Sequence, residues 1–232
     1  MPQIDWRARL QPKSFDRTSS ANDILGPNDP SNILFPLWIT NGVLFPYTPA
    51  ITTGYTVDYD PSAFIHTNYG YNAYVRSYPK PIGLTAKFTA QSDAEAMYLL
   101  AVIHFFRSVT KSYFGVNPYN KAGTPPPTLI FNYLGDYQFN NVPVVVKTFD
   151  YTYEENIDYV QVMTSTIGNP NKTGSIDRQV SLPAGSSKGF TYVPTQISVS
   201  VEMDTQYIPI DIRNNFNLDK FRQGKLINQG YI

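Results

Sequence analysis

The sequence predicts a mainly β protein with one flanking α-helix, and three observations support this fold class. Four segments alternate apolar and polar residues, as do strands with one buried and one exposed face: 52–60, 82–90, 142–153 and 195–203. One further segment combines helical spacing of apolar residues with a helix cap. The segments between these elements are rich in Gly, Pro, Asn and Ser, which is typical of turns and loops.

The helix is expected at about 93–113. Ser92 and Glu95 have the spacing of a capping box, in which the two side chains satisfy backbone N–H groups of the first turn. Arg107 and Lys111 suit the negative end of the helix dipole. An apolar stripe expected to pack on a sheet comprises Met97, Leu100, Ala101, His104, Phe105, Ser108 and Val109. On this stripe, His104 is interpreted as a buried structural residue rather than a metal ligand.

The chain divides into a central β domain at 50–204 and two arms. Residues 1–49 contain seven prolines and are expected to form an extended arm that lies on this chain or on a neighbour. Residues 205–232 show weak periodicity and are expected to form a C-terminal arm. Residues 165–192, rich in Gly and Ser, predict a long hairpin tip or insertion.

A hairpin is expected inside the N-terminal arm. Asn41-Gly42 separates two short apolar runs, 34–39 and 43–45, and Asn-Gly is a strong hairpin signal. Pro36 and Pro46 would confine both strands to the edge of a sheet.

Composition excludes several classes of function. The 232 residues hold 18 basic and 18 acidic side chains, a balance that argues against a free-standing nucleic-acid binder. Cysteine is absent and only two histidines are present, so catalytic residues, a metal site and a cofactor are not expected. The N-terminus lacks the apolar core of a signal peptide and no segment is apolar enough to span a membrane, so we expect synthesis in the cytoplasm and no membrane partner.

Charged residues are few and unevenly placed. They make up 16% of the chain, whereas aromatic residues reach 15%, which suggests that other chains cover much of the surface. Residues 1–17 and 211–232 each carry four basic against two acidic residues, whereas 136–158 carries five acidic residues against one lysine. This distribution suggests basic arms that dock on acidic zones of neighbours, although solvated tails would show the same pattern.

The polar faces of the expected strands consist mostly of small hydroxyl side chains. Such faces fit either a solvent-exposed sheet or the lining of a wide barrel built from several copies. The loop Tyr69–Tyr74 fits either a protein interface, which we favour, or a stacking site for sugars.

A set of short motifs, in this order, resembles the baseplate tail-tube initiator proteins of contractile-tailed bacteriophages. The motifs are His104-Phe105-Phe106-Arg107 with Lys111 and Phe114-Gly115, the triple proline 125–127, Asn141-Val142-Pro143-Val144, Asp158-Tyr159 after an acidic turn, and Val193-Pro194. The likeness covers roughly residues 50–205, and the arms contribute little to it.

The resemblance implies a tail-tube fold, which is a β-sandwich of two packed antiparallel sheets with one flanking helix. It implies a homohexamer in which each copy lends four strands to a 24-stranded barrel. Such proteins have no enzymatic activity; they sit in the virion between the central hub or spike proteins and the tail tube or a second initiator ring. Tape-measure protein and later DNA occupy the lumen, and baseplate wedge or sheath proteins are further expected partners.

The resemblance and the strand patterns together select two sets of site residues. The candidates for lining the lumen are Thr85, Lys87, Thr89, Asp150, Thr152, Ser198, Ser200 and Glu202. The candidates for contacts between subunits are Trp6, Arg7, Trp38, Tyr69, Tyr71, Arg222 and Tyr231. Two alternatives remain open, the major tail-tube subunit and a sugar- or ligand-binding β-sandwich that uses the Tyr69–Tyr74 loop.

Overall fold

The computed structural model describes residues 6–13, 21–29, 32–114, 122–163 and 190–232. Most of the insertion expected at 165–192 lies outside the described residues. The elements are β1 (Arg9–Pro12), β2 (Ala21–Asn22), β3 (Gly26–Pro27), α1 (Phe35–Thr40), β4 (Val43–Leu44), β5 (Ala50–Thr52), β6 (Tyr55–Ser62), β7 (Tyr71–Pro79), β8 (Ile82–Thr89), α2 (Asp93–Val109), β9 (Leu129–Tyr133), β10 (Phe139–Tyr153), β11 (Tyr159–Met163), β12 (Phe190–Pro194), β13 (Gln196–Thr205), α3 (Pro209–Asn215), α4 (Leu218–Arg222) and a 3-10 turn (Ile227–Gln229). The fold is mainly β, as predicted.

A seven-stranded antiparallel sheet forms the body, in the order β4-β1-β9-β10-β13-β8-β5. Helix α2 packs against β8 and β10 and against the separate β11–β12 pair. The strict alternation in β13 buries Ile197, Val199 and Val201 beneath this helix layer, because successive strand residues point to opposite faces. The expected strand pattern of β8 and β13 is therefore confirmed.

The predicted helix is confirmed, but its buried face differs from the predicted stripe. Ser92 Oγ accepts from the Glu95 amide at 3.4 Å, and Glu95 Oε2 accepts from the Gln91 amide at 2.7 Å. The buried residues include Leu99, Val102 and Phe106, which the stripe left out, whereas His104 is exposed. Apolar residues occur on several sides of α2, so the helical period alone does not determine which side is buried. Packing against the sheet and α1 determines it.

The hairpin expected at Asn41-Gly42 is wrong. Residues 35–40 form helix α1 with Pro36 in its first turn, and Asn41 ends the helix in the left-handed conformation at φ 59°. Gly42 follows at φ 97°, and a Cβ there would overlap the carbonyl oxygen of Leu10. Asn-Gly thus supplies the positive φ values that end a helix, in place of those that close a hairpin.

Both arms lie at least partly on their own domain. Ala8 and Leu10 are buried in the core, and β1 forms the sheet neighbour of β9. At the other end of the chain, Leu226 is buried, and Gly230 packs so closely on Asn141 that a Cβ would overlap its carbonyl oxygen.

A long hairpin, β6–β7, extends beyond the sheet. It follows β5 and leads into β8, so the last two strands at this side of the sheet continue into it. Its pairing runs from Tyr55 opposite Pro79 to Ser62 opposite Tyr71. The strand expected at 52–60 corresponds to the end of β5 and most of β6, and residues 71–79 pair with β6 as β7.

Candidate assembly surface

Three predicted polar faces meet on one face of the sheet. Thr152 lies opposite Ser198, and Ser198 lies opposite Lys87. One step along the strands, Asp150, Ser200 and Thr85 form a second row of the same kind. All eight predicted lumen candidates therefore share this surface, called the polar face below, which faces away from α2 and the core.

Ion pairs tie the charged residues of the polar face to one another. A β-bulge between Val146 and Thr148 places Lys147 beside Glu202, with Nζ and Oε1 3.0 Å apart. The hydrogen bond to Glu202, together with the charges of Asp204 and Glu202, raises the pKa of Lys147. The bulge was not predicted, although it leaves a signal: the inward-facing positions change from Val142, Val144 and Val146 to Phe149 and Tyr151, which reverses the phase of the two-residue period.

Glu154 follows the last residue of β10 and contacts side chains of the two neighbouring strands, β13 and β8. It accepts from Ser198 Oγ at 2.8 Å and from Gln196 Nε2 at 2.7 Å, and Lys87 Nζ lies 3.6 Å from Oε1. The hydrogen bonds from Ser198 and Gln196 lower the pKa of Glu154. Sequence reasoning treated Glu154 as part of an exposed acidic turn and missed this role, since its partners lie more than 40 positions away along the chain.

The polar face has an open edge on each side. β10 pairs with β9 only at Phe139–Val144, so among the described residues no strand pairs with that edge of 145–153. β5 covers β8 only at Gly83–Thr85, which leaves the edge of 86–89 open within the same described part of the chain. Native proteins rarely leave such edges flat and uncovered, because unpaired backbone groups recruit another strand.

The β6–β7 hairpin exposes aromatic residues on both of its faces. The exposed side chains include Tyr55, Tyr59, Tyr69, Tyr71, Tyr74 and Tyr78. Within the hairpin, Tyr59 and Tyr74 meet edge to face at 6.1 Å, and Arg76 Nε donates to Asp58 Oδ2 at 2.7 Å. A two-stranded hairpin gains little stability alone in water, so this surface fits a contact with another chain.

The predicted contact residues fall into three groups. Tyr69 is 88% exposed, and Trp6, Arg7, Tyr71 and Arg222 are also exposed. Tyr231 is half-buried against Tyr207, with ring centroids 5.4 Å apart, and burial raises the pKa of Tyr207 to about 12. Trp38 was predicted to contact another subunit, and this prediction is wrong. Its side chain on α1 is buried in the core and only 4% exposed.

Other kinds of site find no support in the described residues. No group of three or more His, Cys, Asp or Glu side chains there is placed to hold a metal ion. No helix in the described ranges has the length and apolar character needed to cross a membrane. No known family model matches the chain, and a comparison with curated proteins gives no significant match.

Proposed function

We propose that this chain is a structural subunit of a bacteriophage baseplate, where six copies form a ring that joins the central hub to the tail tube and nucleates tube polymerisation. The observation that carries the proposal is the polar face, a sheet surface of β10, β13, β8 and β5 with an open edge on both sides. This is the arrangement that a ring of identical subunits requires of each member. The protein is not proposed to be an enzyme.

The two open edges support closure by identical copies. The edge of β10 at 145–153 in one copy would pair with the edge that β5 and residues 86–89 of β8 present in the next copy, because neither edge is paired within the described part of its own chain. Repeating this contact around an axis gives a closed barrel without a remaining edge, and closure is the complete remedy for exposed edges. The resemblance noted above implies six copies and four strands from each.

The chemistry of the polar face suits a lumen through which DNA passes. Small side chains such as Thr85 and Ser200 leave the pore wide, and Lys87 and Lys147 are both paired with carboxylates. A polyanion binds proteins mainly through unpaired cations, so a lumen of this composition would hold DNA weakly.

The position of the chain in the particle tests the proposal. A six-fold averaged electron-microscopy map of the assembled particle should place it on the tail axis between hub and tube. A position off that axis would contradict the proposal. The same map separates the initiator from the major tube subunit, because the initiator contributes one ring and the tube subunit contributes many.

Cysteine labelling tests which face lines the lumen, since the chain has no native cysteine. Ser200→Cys in the assembled ring should react with a small maleimide and be protected from a maleimide attached to a large globular protein. His104→Cys, on the exposed side of α2, serves as the matched control and should react with both reagents. Equal reaction of Ser200→Cys with both reagents, or a chain that remains a monomer and binds glycans, would favour the sugar-binding alternative.

A further inference from the structure

The polar face contains two lysines, and each lies beside a glutamate. Lys147 Nζ is 3.0 Å from Glu202 Oε1, and Lys87 Nζ is 3.6 Å from Glu154 Oε1. The first pair links β10 to β13, and the second reaches from β8 across β13 to the residue that follows β10. The pairs therefore connect strands of the sheet, and they also place a negative charge beside each cation.

Further carboxylates surround the two pairs. Asp204 lies on the same face, and its charge adds to the hydrogen bond with Glu202 that raises the pKa of Lys147. Asp150 occupies the row between the two pairs. Taken together, strands β8, β10 and β13 and the adjoining Glu154 carry four carboxylates against two lysines on this face. This part of the polar face is therefore acidic.

The two lysines are also far from each other. Thr148, next to Lys147, and Lys87 are two strands and four residues apart in the sheet. At about 4.8 Å between strands and about 3.3 Å per residue, their Cα atoms are about 16 Å apart, so the two cations cannot contact one phosphate together. Each cation and its glutamate are at most 3.6 Å apart, so a phosphate several ångströms away experiences almost no net charge from the pair.

We propose that the two glutamates mask the two lysines, so that the polar face does not bind DNA although it contains cations. Replacing a glutamate by glutamine releases one lysine, and the glutamine keeps an oxygen that accepts hydrogen bonds. A polyanion binds proteins mainly through unpaired cations, so each released lysine adds one phosphate contact. The use of this mask inside a pore rests on the function proposed above, whereas the masking itself is a property of the single chain.

Protection of a thiol at position 200 by DNA tests the mask on the isolated full-length chain. Ser200→Cys introduces the only cysteine, between the two pairs, and duplex DNA bound there should slow its reaction with a small maleimide. Glu154→Gln with Glu202→Gln in this background should lower the DNA concentration that halves the reaction rate at least about tenfold at low salt. This local readout reports the polar face and is insensitive to DNA bound at the basic arms.

Two controls separate masking from net charge. Asp60→Asn with Asp93→Asn makes the same change in net charge at exposed carboxylates outside the polar face, and neither of these takes part in an ion pair among the described residues. This control should leave protection of the thiol unchanged. Adding Lys87→Gln with Lys147→Gln to the unmasked variant should abolish the gain, and each lysine should account for about one unit of the slope of log affinity against log salt.

Equal protection of the thiol with and without the two glutamates would overturn the proposal, as would the same gain in the control with Asp60 and Asp93 replaced. Glu202→Gln alone should give a smaller gain, and it tests the pair at Lys147 if the double variant does not fold, which circular dichroism checks. A particle map that places the chain off the tail axis would contradict the proposed function and leave this result standing. The failures of the two proposals are therefore distinguishable.

Discussion

The central sheet and the β6–β7 hairpin have similar strand patterns and opposite surroundings. In β13, Val199 and Val201 are at most 1% exposed, because α2 covers that face. In β6, Tyr55, Val57 and Tyr59 also alternate with polar residues, yet they are 44–62% exposed. An alternating pattern thus predicts that one face of a strand will be buried. It does not predict whether the same chain or another chain buries that face.

The largest expected effect is the loss of a core aromatic ring. Phe106 is fully buried and stacks on Phe149 of β10, with ring centroids 4.7 Å apart. Phe106→Ala should lower the free energy of unfolding of the monomer by about 3–5 kcal/mol, measured by urea denaturation. Tyr74→Ala in the hairpin should change it by less than about 1 kcal/mol and weaken assembly instead, because its ring is 61% exposed. Similar losses of monomer stability in both variants would contradict the distinction between the two regions.

A second prediction compares a packed glycine with an open one. Gly42 and Gly135 both have positive φ values, 97° and 83°, but only Gly42 lies against other backbone, that of Leu10 and Gln11. Gly42→Ala should therefore destabilise the fold by about 2 kcal/mol more than Gly135→Ala, measured by thermal or urea unfolding. Equal losses of stability in the two variants would mean that the close approach of Gly42 to the backbone of Leu10 and Gln11 contributes little to the stability of the fold.

The smallest expected effect concerns the pH dependence of the central sheet at Glu154. Hydrogen bonds from Ser198 and Gln196 lower the pKa of Glu154 in the folded state, so its contribution is present above the pKa of the unfolded chain and disappears as pH falls through the folded value. The difference in Tm between wild type and Glu154→Gln should therefore shrink as pH falls from 6 to about 3. Glu155→Gln is the matched control, because it removes the same charge from an exposed neighbour while Ser198 and Gln196 keep their hydrogen bonds to Glu154.

Much of the fold followed from local patterns. The two-residue period predicted β8, β10 and β13, and Ser92 with Glu95 predicted the start of α2, because strand alternation and helix caps depend on neighbouring residues. The Asn41-Gly42 prediction failed for a related reason: positive φ values close a hairpin or end a helix equally well, and contacts with Leu10 and Tyr98 decided between them.

The sequence by itself determined which residues are polar on each strand, and hence all eight candidates for the polar face. Only the tertiary structure decided that these faces join into one surface, since strand order and register depend on residues far apart in the chain. The same holds for Trp38, whose burial depends on how α1 packs. Periodicity is a property of neighbours, whereas a surface is a property of the whole fold.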